Sequence, residues 1–284
     1  MKQAILTLVF FLILSAVAYC DLQKICYFQT DSRYSYHIEL LDLALRNTID
    51  EYGPFIIKPA KNEMTFSRGL FSLETKQGIN IGFFASSKER ETRFLSIRVP
   101  LLRGLLGYRV ALVRKDNIEK FAAVKSLEQL TRQFTAGFGS QWADMEILKK
   151  NSIPVMGTAK YENLFKMLSA GRFDYFPRGI NEAWKEIEVK KAEYPNLAVE
   201  KYFAFYYPYP VYFFVNKTDI RLAQRIEAGL KYALKNGTLK ALFLSHYGTI
   251  INQTRLSERK IFTLKNHILK EGTPEPDTSW WPEK

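Results

Sequence analysis

The sequence predicts an α/β protein of two lobes joined by two strand crossings. Three observations predict it. Short apolar strands alternate with amphipathic helices, the order that parallel α/β units produce. The alternation runs through two stretches, 22–107 and 108–212. Two long apolar strands, GYRVALVRK (107–115) and PVYFFVNK (210–217), stand where one stretch hands over to the other. With 284 residues, 47% of them apolar and 14% aromatic, the chain can bury cores of that size.

The first residues, MKQAILTLVFFLILSAVAYC, read as a secretory signal peptide. Lys2 precedes an apolar run, and Ala16-Val17-Ala18 offers small residues for cleavage after Ala18. The run is short of the about 20 apolar residues a membrane helix needs. A bulky Tyr19 before Cys20 departs from a bacterial lipobox. The expected mature chain starts near Tyr19 and is exported, soluble and monomeric. Export permits a disulfide. However, Cys20 and Cys26 flank and enter an extended segment, which holds them too far apart for a bridge. Cys26 is expected as a small buried hydrophobe.

In the first stretch, KICYF is a strand, and Ile38, Leu41 and Leu45 form one helical stripe between Tyr36 and Thr48. FIIKPA is a strand, Met64 to Thr75 a helix ended by Gly78, and INIGFFA a buried strand. The segment from Ile97 to Leu106 is broken by Pro100 and Gly104. In the second stretch, GYRVALVRK is a strand, and Ser126 opens a helix with Gln129 three residues on. FTAGFG, IPVMGT and FDYF are strands. The helices between and after them are expected at 140–148, 161–171 and 180–194, and FDYF is expected to stop at Pro177. AVEKYFAFYY and PVYFFVNK are strands; Asp219 to Lys235 and Leu239 to Tyr247 are helices. Residues 251–284, with Pro274, Pro276, Pro282 and Trp280-Trp281, read as an appended tail.

The formal charge is +12, but Lys and Arg are scattered without a dense basic run, so no nucleic-acid partner is expected. His37, His246 and His267 are too far apart in sequence to suggest a metal site. The chain carries no phosphate loop and no Ser-His-Asp order of believable spacing, and no cofactor is expected.

Ser87-Lys88-Glu89-Arg90, then Ser96 and Pro100, then GYRVALVRK are similar to a recurring run in one family. So are SLEQL…FTAGFGSQ (126–141) and the closing helices around Arg221 to Phe243. In order and spacing the chain resembles the bacterial periplasmic solute-binding proteins. More narrowly it resembles solute-binding family 3, type II periplasmic binding proteins that mostly bind amino acids for ABC importers. The resemblance covers 22–250. It implies a Venus-flytrap fold with lobe 1 from 22–107 plus 213–250, lobe 2 from 108–212, and two hinge crossings.

The resemblance also implies site residues. Arg90 matches the arginine that clamps the ligand's α-carboxylate, for which a planar guanidinium is suited. Read without the resemblance, Arg90 is a surface charge in SKERETR. Ser140 and Gln141 match a pair that opens a second-lobe helix, where N–H groups attract anions; a plain N-cap is the other reading. Tyr34 and Tyr36 follow the first strand, where the family places a ring, and Trp142 adjoins Gln141; each is a candidate platform or a core aromatic. The family usually presents an acidic residue after the strand that FDYF matches. Arg178 stands there instead. That departure argues against an ordinary α-amino acid. It points to a ligand with two anionic ends or a polar uncharged one, with Arg178 and Arg90 facing one cleft from opposite lobes.

The expected function is therefore capture of a small polar ligand, anionic or amino-acid-like, for an ABC permease or a sensor in the periplasm. A dehydratase-like enzyme on the same scaffold is the alternative, with Glu89, Asp144, Glu162 and Glu182 as candidate acids or bases. A signalling module without a transporter is a third.

Overall fold

A computed structural model describes residues 22–274. The expected signal peptide, Cys20 and the Trp280-Trp281 pair lie outside the described residues.

The first half begins with β1 (Gln23–Tyr27), α1 (Ser35–Arg46), α2 (Ile49–Tyr52), β2 (Phe55–Pro59) and α3 (Phe66–Glu74). β3 (Gly82–Ala85), α4 (Lys88–Arg93) and β4 (Leu95–Ile97) follow. Next come β5 (Tyr108–Arg114), α5 (Leu127–Gln133), β6 (Ala136–Gly139), α6 (Asp144–Lys150), β7 (Val155–Thr158) and α7 (Tyr161–Ser169). Then β8 (Tyr175–Gly179), α8 (Ala183–Lys190), β9 (Leu197–Val199), β10 (Phe203–Tyr206) and β11 (Val211–Val215). The described chain closes with α9 (Ile220–Lys235), α10 (Thr238–Thr254) and β12 (Lys260–Thr263).

The strands divide as a two-lobed protein requires. β1 and β2 pair in parallel, and β11 lies antiparallel between β3 and β4. These sheets, with α1, α9 and α10 packed together, form the first lobe. The second lobe is built on a seven-stranded sheet in the order β12-β10-β5-β8-β6-β7, with β9 beside β5. The chain crosses from first lobe to second between β4 and β5, and returns between β10 and β11. β5 and β11 are buried almost throughout, which explains their apolar runs. The α1–α9 contact is close because Gly229 has no side chain; a Cβ there would run into the carbonyl of Ala44.

Four sequence expectations need correction. First, β8 does not stop at Pro177; it continues through Arg178 to Gly179. Pro177 sits opposite Ala111 of β5, while the ladder to β6 ends at Tyr175, so its missing N–H costs no bond on that side. Second, the helix expected from Ser140 starts at Asp144, after a turn in which Trp142 N–H bonds Gly139 carbonyl at 3.1 Å. Third, the residues after 250 are not all an appendage. α10 runs to Thr254, and β12 then pairs in parallel with β10, so the chain passes to the second lobe a further time. Fourth, Cys26 is a free thiol but half-buried rather than buried.

Candidate functional site

A cavity of about 750 Å³ opens at the carboxyl ends of β6 and β8. Phe138, Trp142, Tyr161 and Arg178 line it with residues of α8, and Arg33 reaches it from the first lobe. In parallel units such strand ends are where loops and helix starts leave room for a ligand. Trp142 fits against the end of β6 because Gly139 is bare beneath its indole.

Arg178 is buried, with 8% of its surface exposed. Its position one residue past Pro177 aims it at α8. There Glu186 accepts two parallel bonds, from Nε at 2.7 Å and Nη2 at 2.5 Å. Glu182 Oε2 lies 3.1 Å from the same Nη2. The guanidinium also lies over Trp142 and Phe176, 4.8 and 5.1 Å from their centroids. Burial works against its charge, but Glu186 and Glu182 outweigh this and hold its pKa above the ordinary value. Tyr161 completes the wall; burial first, then its bond to Glu186, push its phenol well up.

Arg109, at the start of β5, forms a second such unit. Its Nη2 donates to Asp144 Oδ2 at 2.6 Å and its Nε to the Tyr207 hydroxyl at 2.8 Å. Tyr207 in turn donates to Asp144 at 2.5 Å. Burial again opposes the charge, and Tyr207, Asp144 and Glu182 hold it in place and raise the pKa. Tyr207 belongs to the second crossing, so this network ties the hinge to the floor of the cavity.

Glu182 joins the two units. Its Oε2 accepts the Gly179 N–H at 3.1 Å and lies 3.7 Å from Arg109 Nη1. Arg109 and Arg178 each have a dedicated carboxylate, Asp144 and Glu186. Glu182 is therefore a surplus negative charge, and its side chain is the most exposed of the three carboxylates. Beside it, Asn181 Oδ1 is buried without a hydrogen-bond partner. Both surround Gly179: a Cβ built there would lie 2.7 Å from Asn181 Oδ1 and 2.9 Å from both Glu182 Oε2 and Arg109 Nη1. At those distances the three side chains already fill the space over Gly179, so Glu182 Oε2 and Asn181 Oδ1 are held together as two acceptors with the Arg109 guanidinium beside them. Asn181 and Glu182 both line the cavity, and a pair of acceptors there suits a small hydrogen-bond donor carrying positive charge.

The expected site residues separate. Arg178 and Trp142 line the cavity. Arg90 does not; it is half-buried on α4, donating to the Ala85 carbonyl at 2.6 Å and lying 5.4 Å from the ring centroids of both Phe66 and Phe84. Its charge still acts on Tyr209 of the second crossing, as do those of Asp144 and Arg109. Tyr34 lines a smaller hollow of about 310 Å³ that shares Arg33 with the main cavity. Tyr36 is a core residue, 1% exposed, donating to the Leu101 carbonyl at 2.7 Å. Ser140 and Gln141 are exposed and outside the lining, and the later start of α6 removes Ser140 from a helix N-terminus. Arg178 is not the bare cation that the sequence suggested, because two carboxylates face it. Sequence reasoning missed Arg109, Asn181 and Glu186. Only the strand-end position of Gly179 signalled Asn181 and Glu182; nothing local signalled Arg109.

No protein-family model and no curated protein matches the chain. Solved structures do. A probable amino-acid ABC transporter extracellular-binding protein, ytmK of Bacillus subtilis, matches at 19% identity and TM-score 0.55, covering 79% of this chain and 97% of that one. A structure described for glutathione import via GshT and the cystine ABC importer TcyBC of Streptococcus mutans matches at 18% and 0.52, covering 80% and 95%. An ancestral arginine-binding protein bound to arginine matches at 17% and 0.50, covering 79% and 96%. At these identities the likeness is one of fold, and the fold is the two-lobed α/β architecture of periplasmic binding proteins.

Proposed function

We propose that the protein is an exported solute-binding protein that captures a small amino-acid-like zwitterion between its lobes. The acceptor pair that Glu182 and Asn181 contribute to the cavity lining carries the proposal. It pairs a surplus carboxylate, Glu182, with the orphaned Asn181 Oδ1, and the ligand's ammonium group would satisfy both. Exposed Lys185 and Arg33 at the rim, with Arg90 beyond, supply positive charge for a carboxylate. Trp142 and Tyr161 would cover the apolar part. Glu182 thus restores the acidic partner that the strand end lacks, which favours a zwitterion over a doubly anionic ligand. In this reading the protein works in the periplasm, delivering its ligand to an ABC permease or a sensor. The solved structures it is similar to carry binding-protein descriptions, which supports the reading.

A binding role is favoured over a dehydratase-like enzyme by the state of the cleft carboxylates. Asp144 and Glu186 are held by arginines and Glu162 by Lys190, and Glu182, the remaining carboxylate, is assigned to the ligand's ammonium group. A general acid or base must be free to exchange a proton with substrate.

A thermal-shift screen of the purified mature chain against amino acids, dicarboxylates and small peptides tests the proposal. A specific ligand at a hundred times its Kd stabilises by about 2.7 kcal/mol. Stabilisation by amino acids but not by dicarboxylates is expected. The reverse preference would overturn the zwitterion reading.

A further inference from the structure

The residues that follow β12 touch both lobes and the hinge within five positions. Leu264 is 1% exposed, and its N–H bonds the Tyr206 carbonyl of β10 at 2.7 Å. Lys265 and Asn151, at the end of α6, bond each other reciprocally: Lys265 N–H to Asn151 Oδ1 at 2.9 Å, and Asn151 Nδ2 to the Lys265 carbonyl at 2.8 Å. These anchors belong to the second lobe. Asn266 Nδ2 then donates to the carbonyl of Pro208, within the second crossing, at 2.7 Å. Its Oδ1 accepts the Ile268 N–H at 3.1 Å, which fixes the turn. Finally the Ile268 carbonyl accepts the N–H of Lys88 at 2.9 Å. Lys88 is the first residue of α4 in the first lobe, the helix that bears Arg90.

We propose that residues 264–268 are a strap that ties the lobes together across the hinge and limits their relative movement. Asn266 and His267 alone separate the Lys265 anchor from the Ile268 anchor, and the three steps of chain between the anchors reach at most about 11 Å when fully extended. Any lobe motion that carries Asn151 away from Lys88 takes up this reach and then breaks a hydrogen bond. A two-crossing hinge has no such limit on that flank. The Asn266–Pro208 bond places the strap against the crossing itself, so bending there must also move the strap. Because Lys88 opens α4, the same tie sets where Arg90 stands relative to the second lobe.

The test needs no ligand, so it is independent of the proposed function. Spin labels are placed on exposed helical positions of each lobe, Lys166→Cys and Lys240→Cys, in the full mature chain with Cys20→Ser and Cys26→Ser. Inter-lobe distance distributions are measured by pulsed dipolar spectroscopy. Three glycines inserted after His267 slacken the strap by about 10 Å. The same insertion after Gly272, past the anchored residues, is the control. The slack variant is expected to give a broader distribution with a changed mean, and the control to match the native chain. Should the insertion prevent folding, Asn266→Ala removes the crossing bond alone and is expected to broaden the distribution less. A folded slack variant, or a folded Asn266→Ala chain in its place, whose distribution overlays the native one would overturn the proposal.

Discussion

Replacing Asp144 by Asn removes a charge from beneath the cavity while keeping shape and one acceptor. Arg109 is 7% exposed and Asp144 8%, and their contact is 2.6 Å. Removing one partner of a buried pair costs about 3–5 kcal/mol, because the other charge stays buried. Glu182, 3.7 Å from Arg109 Nη1, still offsets part of that charge. The expected loss is therefore at the lower end, about 3 kcal/mol. For a chain of this size that is a fall in Tm of roughly 6–12 °C. Urea unfolding followed by circular dichroism measures the loss. Added salt is expected to leave it unchanged, since buried pairs are screened far less than exposed ones. Arg109→Met combined with Asp144→Asn is expected to be more stable than Asp144→Asn alone, because no unpaired guanidinium remains. A loss below about 1 kcal/mol, the worth of an exposed pair, would refute the buried network.

Three further outcomes follow from the same geometry. Glu200 is wholly buried, accepts the Phe203 N–H at 3.1 Å, and burial lifts its pKa from 4.5 to about 7. The folded chain therefore holds this proton more tightly than the unfolded chain, and stability from this group falls by about 3 kcal/mol as pH rises from 4.5 to 7; Glu200→Gln should abolish that component of the slope in pH-dependent melts. Gly179→Ala demands no positive φ but displaces the side-chain ends of Asn181, Glu182 and Arg109, so it should leave far-ultraviolet circular dichroism unchanged and remove the thermal shift given by ligand. Gly229→Ala should push α9 off α1 and destabilise by about 1–3 kcal/mol, read from the urea midpoint.

What was legible in the sequence was local. The stripe of α1 and the apolar runs of β3, β5 and β11 announce their own burial, and their order sufficed for the two-lobed fold. α4 escaped because KERETR has no apolar periodicity; Ser87 caps it, and Arg90 and Arg93 reach from it to Phe66 and Glu74 of α3. β12 escaped because KIFT is short and becomes a strand only by pairing with β10. Pro177 misled because its tolerance depends on where a neighbouring ladder ends, which is a tertiary fact. The site divides the same way. Arg178 could be found from its place at a strand end. Its neutralisation by Glu186 could not, since it depends on how α8 docks. Arg109 reads in sequence as one more residue of a buried strand; only the fold brings it beside Asp144, 35 positions away.

The most direct test of the zwitterion site is calorimetric titration of the amino acid that gives the largest thermal shift, into native protein and into Glu182→Gln. Glu182 faces the cleft but also lies 3.1 Å from Arg178 Nη2 and accepts the Gly179 N–H. The isosteric substitution is therefore expected to keep the fold, with Asp144 and Glu186 still pairing the arginines, while lowering the melting temperature. The ammonium group would lose a charged partner, which typically costs about 2–5 kcal/mol. Binding to Glu182→Gln is thus expected to weaken by at least about 30-fold, with the stoichiometry of the native protein retained where binding is measurable. Equal affinity in the two proteins would contradict the account.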